Sequence, residues 1–567
     1  MDNGCSQYIY SEDYLSFLVR YDNDIQGVYD SFQPDCVSII NNQFVIVYKK
    51  HNVTPEGDIF KYGYQVLPQC YGLMDEDVVR VTGAERLRGF PGLGLDGSGV
   101  LIGFVDTGID IGSPAFRRAD GTTRIVALWD QNEDVYGKSE ASFGYGAVFT
   151  EEQINDALKT NNPYEQIPSI DEDGHGTFLA SVAAGNDGMA PGAEIIMVKL
   201  RPAKNILKSI NIIPEDAKCF SEDDIMLGIK YLTNYASERR MPLVICMGIG
   251  TNQGDHNGNT YLDLYLNSFT GLRGVAVVTA AGNETGYGTH YRELSIDGEY
   301  SDVEIVVGSN DRGFVMEIWG ESPGFLDVRV VSPTGEIFSG IPVTRSGEAS
   351  KTFLYEGTTV DVQTLTAGRT TGDPCVFMRF KEPAEGIWTI RVSGQGATGE
   401  NGFNMWLPIH NFLNSDTRFA IPDPDVTICS PGNNKGVITV AGYDYKTNAI
   451  YVNSSRGYTR SGRIKPDITA PAVDIQGVFA GRGTSSTQNV LYTRKSGTSI
   501  ASAVVAGGAA LILQWGIVDG NSPLMTGSSI KQMLIRGADR VNPLKYPNRI
   551  WGYGVLDLFG AFEALRD

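Results

Sequence analysis

The sequence feature that most constrains the fold is a series of short, largely apolar runs, each about as long as one buried β-strand. The runs are Val100–Val105, Ile195–Leu200, Leu243–Met247 and Val275–Ala280. Helical patterns lie among them, at Phe178–Ala184 and Asp223–Arg239. Strands that are apolar on both faces and alternate with helices predict a parallel sheet covered by helices on both sides. Functional groups are then expected beyond the carboxyl ends of the strands.

Residues 291–424 have a different pattern, in which short strand-like runs are separated by segments rich in Gly, Pro and Asp. The runs are Val303–Val307, Phe314–Trp319, Leu326–Val331, Val376–Phe380 and Trp388–Val392. This pattern predicts an antiparallel β-sandwich or jelly roll. The α/β pattern returns at residue 425 and continues to residue 567. We therefore expect the β unit to be inserted into one α/β domain that is formed by residues 75–290 and 425–567.

Residues 1–74 are predicted to form a small α+β unit ahead of the α/β domain. Two strand-like runs, Ser16–Tyr21 and Val37–Lys49, flank a polar segment, and Leu67–Met74 has the pattern of an extended segment. A unit of this size buries little apolar surface and is marginally stable on its own.

The composition excludes some classes of function. The 567 residues include 46 Lys and Arg against 67 Asp and Glu, a formal net charge of −21. Nucleic acids and anionic membranes bind clustered cations, so neither is an expected partner. The seven cysteines are scattered and include no CxxC pair. This distribution favours a reducing compartment and predicts neither a disulfide framework nor a structural zinc site.

The sequence also bears on localisation. Asp2, Glu12 and Asp13 lie where a secretory signal would carry positive charge and then an apolar run. The longest apolar stretch, Ile500–Trp515, is short for a membrane span and contains Ser502 and two glycines, which favours a buried core helix. We expect a cytoplasmic protein without a signal peptide or a membrane span.

Three motifs carry the residue types of nucleophilic catalysis. They are Asp106-Thr-Gly-Ile-Asp110 at the end of a predicted strand, Asp173-Gly-His-Gly-Thr177 at the start of a predicted helix, and Ser496-Gly-Thr-Ser-Ile-Ala-Ser502 at the start of the apolar helix. A serine nucleophile needs a base to accept its proton and a carboxylate to orient that base. Asp106, His175 and Ser499 supply one of each, and the other four histidines are expected to be structural.

These motifs resemble those of the subtilisin-like serine proteases, the subtilases or peptidase family S8. Val278–Glu284 resembles the family segment that carries the oxyanion-hole asparagine, here Asn283. The resemblance implies a three-layer α/β fold and a serine endopeptidase that works through an acyl-enzyme. It implies that His175 is the base for Ser499 and that Asp106 holds His175. Members of the family often carry calcium, but no oxygen-rich loop here has convincing ligand spacing, so we expect neither a cofactor nor a metal. The residues that it places along the substrate are Met247, Gly248, Ile249, Gly250, Ala281 and Gly282.

The sequence departs from the usual family pattern at three positions. Ala503 stands where the family commonly has proline, and Phe178 stands where it commonly has a second histidine. Neither change removes a group that transfers a proton. Gly248 replaces a serine that usually lines the cleft, which leaves the shape of the specificity pocket open.

The resemblance also implies a role for residues 1–74. In size and position they are similar to the family's prosegment, which assists folding and then occupies the cleft, with self-cleavage expected near Met74. A short prosegment together with an inserted jelly roll is similar to the Csp germination proteases of clostridia. Those enzymes activate a lytic proenzyme of the cell wall in spores, which implies a spore-associated protein whose partners are that proenzyme and its own prosegment.

Two acidic clusters have alternative interpretations. Asp171-Glu-Asp173 is interpreted as a solvated loop rather than a cation site. Glu222, Asp223 and Asp224 lie, by the resemblance, near the S2 and S4 subsites, where they would favour basic residues upstream of the cleaved bond. An equally good interpretation is that acidic side chains stabilise a helix N-terminus.

Two rival functions stay open at this point. The first is a catalytically silent regulator or sensor on the same scaffold, which the presence of Asp106, His175 and Ser499 disfavours. The second is a carbohydrate-binding protein that uses the inserted β unit. Its tryptophans, Trp319, Trp388 and Trp406, are as readily explained as core residues.

Overall fold

The computed structural model of the chain describes residues 5–50, 62–73, 82–89, 93–132, 143–296, 299–322, 324–339, 346–368, 370–395, 402–481, 490–540 and 543–565. These residues form an N-terminal α+β unit, an α/β unit around a large parallel sheet, and a β-sandwich inserted into the α/β unit. The three-layer α/β architecture with an inserted antiparallel unit is as predicted.

The N-terminal unit is a three-stranded antiparallel sheet in the order β1-β3-β2 with two helices. Its elements are α1 (Ser6–Ile9), β1 (Tyr14–Arg20), α2 (Ile25–Phe32), β2 (Cys36–Ile39) and β3 (Phe44–Lys50). The predicted run 37–49 is two strands, because Asn41 Oδ1 accepts hydrogen bonds from the N–H groups of Gln43 and Phe44 and so forms a turn. The polar segment between the predicted strands contains α2.

A disulfide joins Cys5, just before α1, to Cys36 at the start of β2. The sequence predicted no disulfide framework in a reducing compartment, and it did not anticipate this pair. Their sequence separation of 31 residues gave no signal, and the fold of the unit brings the two residues to a Cα–Cα distance of 5.6 Å. Among the described residues the remaining cysteines, Cys70, Cys219, Cys246, Cys375 and Cys429, are buried thiols.

The chain then forms most of the α/β unit before the insertion. The elements of this part are β4 (Cys70–Leu73), α3 (Ala84–Gly89), β5 (Leu101–Asp106), β6 (Ile125–Asp130), β7 (Ala147–Thr150), α4 (Glu151–Leu158), α5 (His175–Ala184), β8 (Glu194–Lys199), α6 (Asn205–Ile210), β9 (Phe220–Ser221), α7 (Glu222–Arg239), β10 (Leu243–Met247), β11 (Ile249–Gly250), α8 (Tyr261–Thr270) and β12 (Val275–Ala280). The predicted strands and helices of this region are present with shifts of a few residues at their ends.

The inserted unit is a sandwich of two antiparallel sheets, one of six strands and one of five. Its strands are β13 (His290–Glu293), β14 (Ser301–Val307), β15 (Gly313–Gly320), β16 (Phe325–Val331), β17 (Ile337–Phe338), β18 (Gly347–Thr352), β19 (Thr359–Leu365), β20 (Cys375–Lys381), β21 (Gly386–Gln395), β22 (Phe403–Trp406) and β23 (Arg418–Phe419). The sheets run β13-β22-β15-β20-β19-β18 and β17-β16-β21-β14-β23. Phe314, Phe380 and Trp388 pack between them, so Trp388 is a core residue.

After the insertion the chain completes the α/β unit. The elements are β24 (Ile438–Asp444), β25 (Ala449–Ile450), β26 (Ile468–Pro471), β27 (Ile475–Val478), β28 (Tyr492–Lys495), α9 (Thr498–Leu513), α10 (Gly527–Gly537) and α11 (Leu558–Glu563). The main sheet has the order β25-β24-β12-β10-β5-β8-β6-β7, with β26 beside β24, and its central pairs are parallel. Antiparallel pairing is confined to the edge strands β7 and β25.

Two helical layers cover this sheet. Helices α5 and α9 pack on one face and helices α7 and α8 on the other. Helix α9, with its continuation to Val518, is long and apolar enough to cross a membrane. Every residue from Thr498 to Leu513 is nevertheless buried inside the protein, as the prediction of a core helix requires.

The N-terminal sheet packs against its neighbours with both faces. Leu18, Phe44 and Ile46 on one face belong to the apolar cluster of α7 and α8. Phe17, Val45 and their neighbours on the other face cluster with α2 and with Val315 and Phe377 of the sandwich. The N-terminal unit therefore shares apolar cores with both other units.

One buried cation also holds the N-terminal unit. Lys204, immediately before α6, donates hydrogen bonds from Nζ to the carbonyl oxygens of Tyr8, Ser11 and Tyr14 at 2.9, 3.0 and 2.7 Å. These carbonyls belong to α1, to the segment after it and to the first residue of β1. Hydrogen bonds to a charged donor contribute about 1.5–3 kcal/mol each before desolvation of the cation is subtracted.

We predict that Lys204→Met loosens the N-terminal unit, because three carbonyls lose a charged donor. Amide hydrogen exchange of the full chain, followed by mass spectrometry, should show faster exchange in β1 and β3 than in the wild type, with β5 and β10 unchanged. Lys159→Met, which removes an exposed lysine on the surface after α4, is the matched control and should leave exchange in β1 unchanged. Unaltered protection of β1 in Lys204→Met would contradict the prediction.

Candidate active site

Asp106, His175 and Ser499 form one chain of side-chain contacts at the carboxyl edge of the sheet. Asp106 ends β5, His175 begins α5, and Ser499 lies in the first turn of α9. His175 Nδ1 lies 2.7 Å from Asp106 Oδ1, and His175 Nε2 lies 3.3 Å from Ser499 Oγ. All three residues are at most 1% exposed. The histidine is thus placed to accept the serine proton at one ring nitrogen and to donate to the carboxylate from the other.

The backbone around the aspartate and the histidine is fixed by short-range contacts. Thr107 N donates to Asp106 Oδ1 at 2.8 Å, and Gly176 N donates to Thr107 Oγ1 at 2.9 Å. A Cβ at Gly176 would lie 2.3 Å from the carbonyl oxygen of Gly108, so only glycine permits this approach of β5 and α5. These contacts explain why both motifs are rich in glycine.

Asp171 positions the helix that carries His175. Its Oδ1 accepts from Gly174 N at 2.9 Å, and its Oδ2 accepts from Thr177 N at 2.9 Å and from Thr177 Oγ1 at 2.6 Å. The residue is 1% exposed. The interpretation of 171–173 as a solvated loop is therefore wrong for Asp171, which caps α5. Acidic sequence alone gave no sign of this, because the cap depends on the turn at Gly174.

The strand β4 lies between two short strands beside the serine. In antiparallel register, Leu73 pairs with Ile249 and Gly72 with Gly250 of β11, while Cys70 pairs with Ser221 of β9. This three-stranded sheet holds residues 70–73 in extended form. Met74, where self-cleavage is predicted, lies outside the described residues.

The predicted substrate-binding residue Gly248, just before β11, lies next to His175 and Ser499. A Cβ at position 248 would lie 3.0 Å from His175 Cε1 and 3.1 Å from Ser499 Cβ. Met247 ends β10, and Ile249 and Gly250 form β11. The predicted cleft residues 247–250 therefore lie beside His175 and Ser499. A Cβ at 248 would also lie 2.5 Å from Leu179 Cδ1, so the glycine permits a close backbone approach rather than opening a pocket.

Asn283 and its neighbours face the N-terminus of α9. Asn283 Oδ1 accepts from Thr498 N at 3.1 Å and from Thr498 Oγ1 at 3.2 Å. Gly282 N donates to Thr498 Oγ1 at 3.1 Å, and Ala281 N donates to Val440 O. Because the carbonyl end of the amide binds Thr498, its Nδ2 end, the donor, is turned to the opposite side. The predicted residues 281–283 are thus fixed next to Ser499.

The other acidic cluster, Glu222–Asp224, is buried at the start of α7. Glu222 Oε2 accepts from Gln69 N and Oε1 accepts from Leu262 N, while Glu222 N donates to Gln69 O. Asp224 contacts Arg201 and Tyr145. The carboxylates therefore bind internal donors at a helix N-terminus, and the structure does not support the expected preference for basic substrate residues.

The remaining described histidines have structural surroundings. His256 and His290 both stack on Trp406, and their ring centroids lie 3.9 and 4.8 Å from that of the indole. His410 Nδ1 lies 2.8 Å from the buried Glu284. His51 lies outside the described residues. Among the residues that the structure describes, no group of three or more His, Cys, Asp or Glu side chains is arranged to hold a metal ion.

Comparison with known proteins identifies the family. Residues 97–384 and 414–554, most of the chain, match the subtilase family of S8 peptidases. The chain belongs to the subtilase family.

Relatives of this subtilase agree with that assignment. It is 23% identical over 451 residues to a C5a peptidase of Streptococcus pyogenes, an alignment of 72% of this chain and 34% of that protein. It is 36% identical over 143 residues to the serine protease AprX of Bacillus subtilis, covering 23% of this chain and 30% of AprX. The chain spans about a third of the length of these curated relatives.

A solved structure covers more of the subtilase. The CspB protease of Clostridium perfringens matches 86% of this chain and 98% of its own chain, with a TM-score of 0.74 and 30% sequence identity. The fold is that of a subtilisin-like protease.

The departures from the common subtilase pattern are accommodated by packing. Phe178 in α5 contacts β27, where a Cβ at Gly477 would lie 2.5 Å from its ring, and the Lys495 ammonium lies 5.3 Å above that ring. Ala503 is buried within α9. Both residues pack in the core, and neither takes the place of Asp106, His175 or Ser499.

We predict that Asp171→Ala lowers kcat by about 10²-fold with a small change in KM, because a displaced His175 is out of line for proton transfer. Kinetics on a peptide substrate test this. Glu172→Ala is the control, since Glu172 is exposed and its neighbour in the same loop. Equal activities of the two variants would show that Asp171 does not position the histidine.

We predict that stability falls as the pH rises from about 4.5 to 7, in part through Glu222. Burial raises the pKa of Glu222 to about 7, so the folded state binds more protons than the unfolded state in this interval. The contribution of Glu222 to the free energy of unfolding is fully present below its unfolded pKa and is lost as the pH passes 7. Its magnitude is about 3 kcal/mol.

Thermal unfolding of Glu222→Gln at pH 5 and pH 7.5 should show a smaller fall in Tm than the wild type. Glu152→Gln, at an exposed site in α4, should match the wild type. A Glu222→Gln profile that parallels the wild type would contradict the assignment.

Proposed function

We propose that this subtilase is a serine endopeptidase in which Ser499 is the nucleophile, His175 the general base and Asp106 the orienting carboxylate. The observation that carries the proposal is the buried chain of contacts from Asp106 Oδ1 through His175 to Ser499 Oγ, at 2.7 and 3.3 Å. As Ser499 Oγ attacks a peptide carbonyl carbon, His175 Nε2 takes the hydroxyl proton and then gives it to the leaving amine. Water attacks the acyl-enzyme in the second half-reaction.

The oxyanion of each tetrahedral intermediate is proposed to lie between the Asn283 amide and the N–H of Ser499. Thr498 supports this role, because it holds the carbonyl end of the Asn283 side chain and so orients the amino end. Ser499 also lies in the first turn of a 16-residue helix, where the helix dipole favours negative charge.

We further propose that residues 1–74 are a prosegment that the enzyme cuts from itself. The support is the position of β4, which occupies the cleft as an added strand between β9 and β11 and runs toward the triad. Leu73, the last described residue of this strand, pairs with Ile249, and a Cβ at the preceding Gly248 would lie 3.1 Å from Ser499 Cβ. The shared apolar cores with α7, α8 and the sandwich support retention of the cut prosegment.

The proposed biological role is limited proteolysis that activates a lytic proenzyme during spore germination, in the cytoplasm or a spore compartment. Its support is the likeness to the CspB protease over nearly the whole of that chain. The substrate is a protein segment that binds in extended form, because the cleft residues pair with a strand through backbone hydrogen bonds. A subtilase-fold regulator without catalysis is the alternative.

An intact-mass measurement tests the proposal. The purified protein should lose about 74 N-terminal residues from its catalytic chain and gain one adduct from a fluorophosphonate probe, as expected for an activated serine nucleophile. Ser499→Ala should show neither change. Ser502→Ala, which removes a buried hydroxyl one turn along the same helix, is the matched control and should keep both. A full-length wild type without an adduct would favour the silent regulator.

We predict that Asn283→Ala lowers kcat by about 10²–10³-fold, because it removes one donor to the oxyanion. The rate of fluorophosphonate labelling and steady-state kinetics on a peptide substrate measure the loss. Thermal unfolding reports separately on the loss of the contacts to Thr498. A kcat within threefold of the wild type would remove Asn283 from the oxyanion hole.

A further inference from the structure

Two of the buried thiols lie close together, one at the start of β4 and one just before β9. Cys70 is the first residue of β4, and it pairs with Ser221 of β9. Cys219 immediately precedes β9, two residues before Ser221. Both cysteines are 1% exposed and pack in one apolar cluster.

The Cys219 thiol is also close enough to Cys70 to affect its ionisation. Its presence, together with burial, raises the pKa of Cys70. The triad uses neither thiol, and neither belongs to a metal site among the described residues. The N-terminal unit already contains one disulfide, between Cys5 and Cys36.

We propose that Cys70 and Cys219 are a disulfide-forming site that ties the cleft strand β4 to the cleft wall β9. The proposal rests on the proposed function in one respect: β4 belongs to the prosegment and blocks the active site. A disulfide across the two strands would make the cut prosegment a covalent part of the enzyme. Reduction would restore an inhibitor that is held by noncovalent contacts alone.

The oxidant in this step is a low-molecular-weight disulfide, R–S–S–R. The thiolate of one cysteine attacks a sulfur of the oxidant, forms a mixed disulfide and releases one RS⁻. The second cysteine, as thiolate, then attacks the protein sulfur of that mixed disulfide and releases the second RS⁻. Two protons leave the cysteines and two electrons pass to the oxidant, which ends as two RSH. Because burial disfavours the thiolate, the step should be faster at alkaline pH.

Peptide mapping tests the link without relying on catalysis. Full-length Ser499→Ala and wild type are treated with oxidised or reduced glutathione, denatured with N-ethylmaleimide and digested with trypsin. Cys70 lies in the tryptic peptide 62–80, or 62–74 after self-cleavage, and Cys219 is the first residue of peptide 219–230. The oxidised samples should contain these two peptides joined, and dithiothreitol should separate them.

Variants and a functional readout complete the test. Cys219→Ala should abolish the joined peptides, and Cys375→Ala, at a buried thiol in the sandwich, should leave them intact. In the cleaved wild type, oxidation should join the prosegment to the catalytic chain on a nonreducing denaturing gel. Peptidase activity should then fall by about 10²-fold and return with dithiothreitol, because the tethered strand rebinds intramolecularly.

The outcomes separate the two proposals. Joined peptides in Ser499→Ala and an uncleaved wild type would support the disulfide and reject self-cleavage. Cleavage with both cysteines alkylated after oxidation would support the protease and overturn the disulfide. A mixed disulfide of Cys70 with glutathione, without the joined peptides, would also overturn it.

Discussion

The backbone hydrogen bonds of β4 to β9 and β11 are the interaction on which the arrangement of this molecule depends. Strands β9 and β11 have two residues each, and neither forms a stable sheet without a partner. The strand inserted between them satisfies both edges, and it does so next to Ser499. The same geometry that would bind an extended substrate thus binds the chain's own segment 70–73. The cleft binds a strand through backbone hydrogen bonds, and in this structure the bound strand is residues 70–73 of the same chain.

The proposed catalytic residues were predictable because each is set by local sequence at the end of a regular element. Asp106 ends an apolar strand, and Ser499 begins an apolar helix. Once the parallel sheet is formed, the carboxyl ends of its strands lie at one edge. His175 and Ser499, which are 324 positions apart, come into contact there. Gly176 is predictable for the same reason, because the close approach of β5 and α5 permits no side chain there.

Other parts of the site depend on contacts that local sequence does not determine. Asp171 resembles any acidic loop residue until the turn at Gly174 directs three donors at it. Glu222 suggests an exposed subsite until Gln69 and Leu262 cover it. Cys5 and Cys36 carry no spacing signal, because their proximity arises from the folded N-terminal sheet. Glu222 and the two cysteines gain their roles from segments distant in the chain, and no periodicity records such a pairing. Asp171 gains its role from a nearby turn, whose geometry the acidic residues do not indicate.

The inserted sandwich extends this dependence to the third unit. Val315 and Phe377 lie on the face of the six-stranded sheet that contacts Phe17 and Val45 of the N-terminal sheet. The opposite face of the N-terminal sheet packs on α7, whose first residue, Glu222, exchanges hydrogen bonds with Gln69 just ahead of β4. Releasing the N-terminal sheet together with β4 would therefore expose apolar surface on all three units. Cutting the chain after residue 74 breaks none of these contacts, so cleavage and opening of the cleft are separate events with separate energetic requirements.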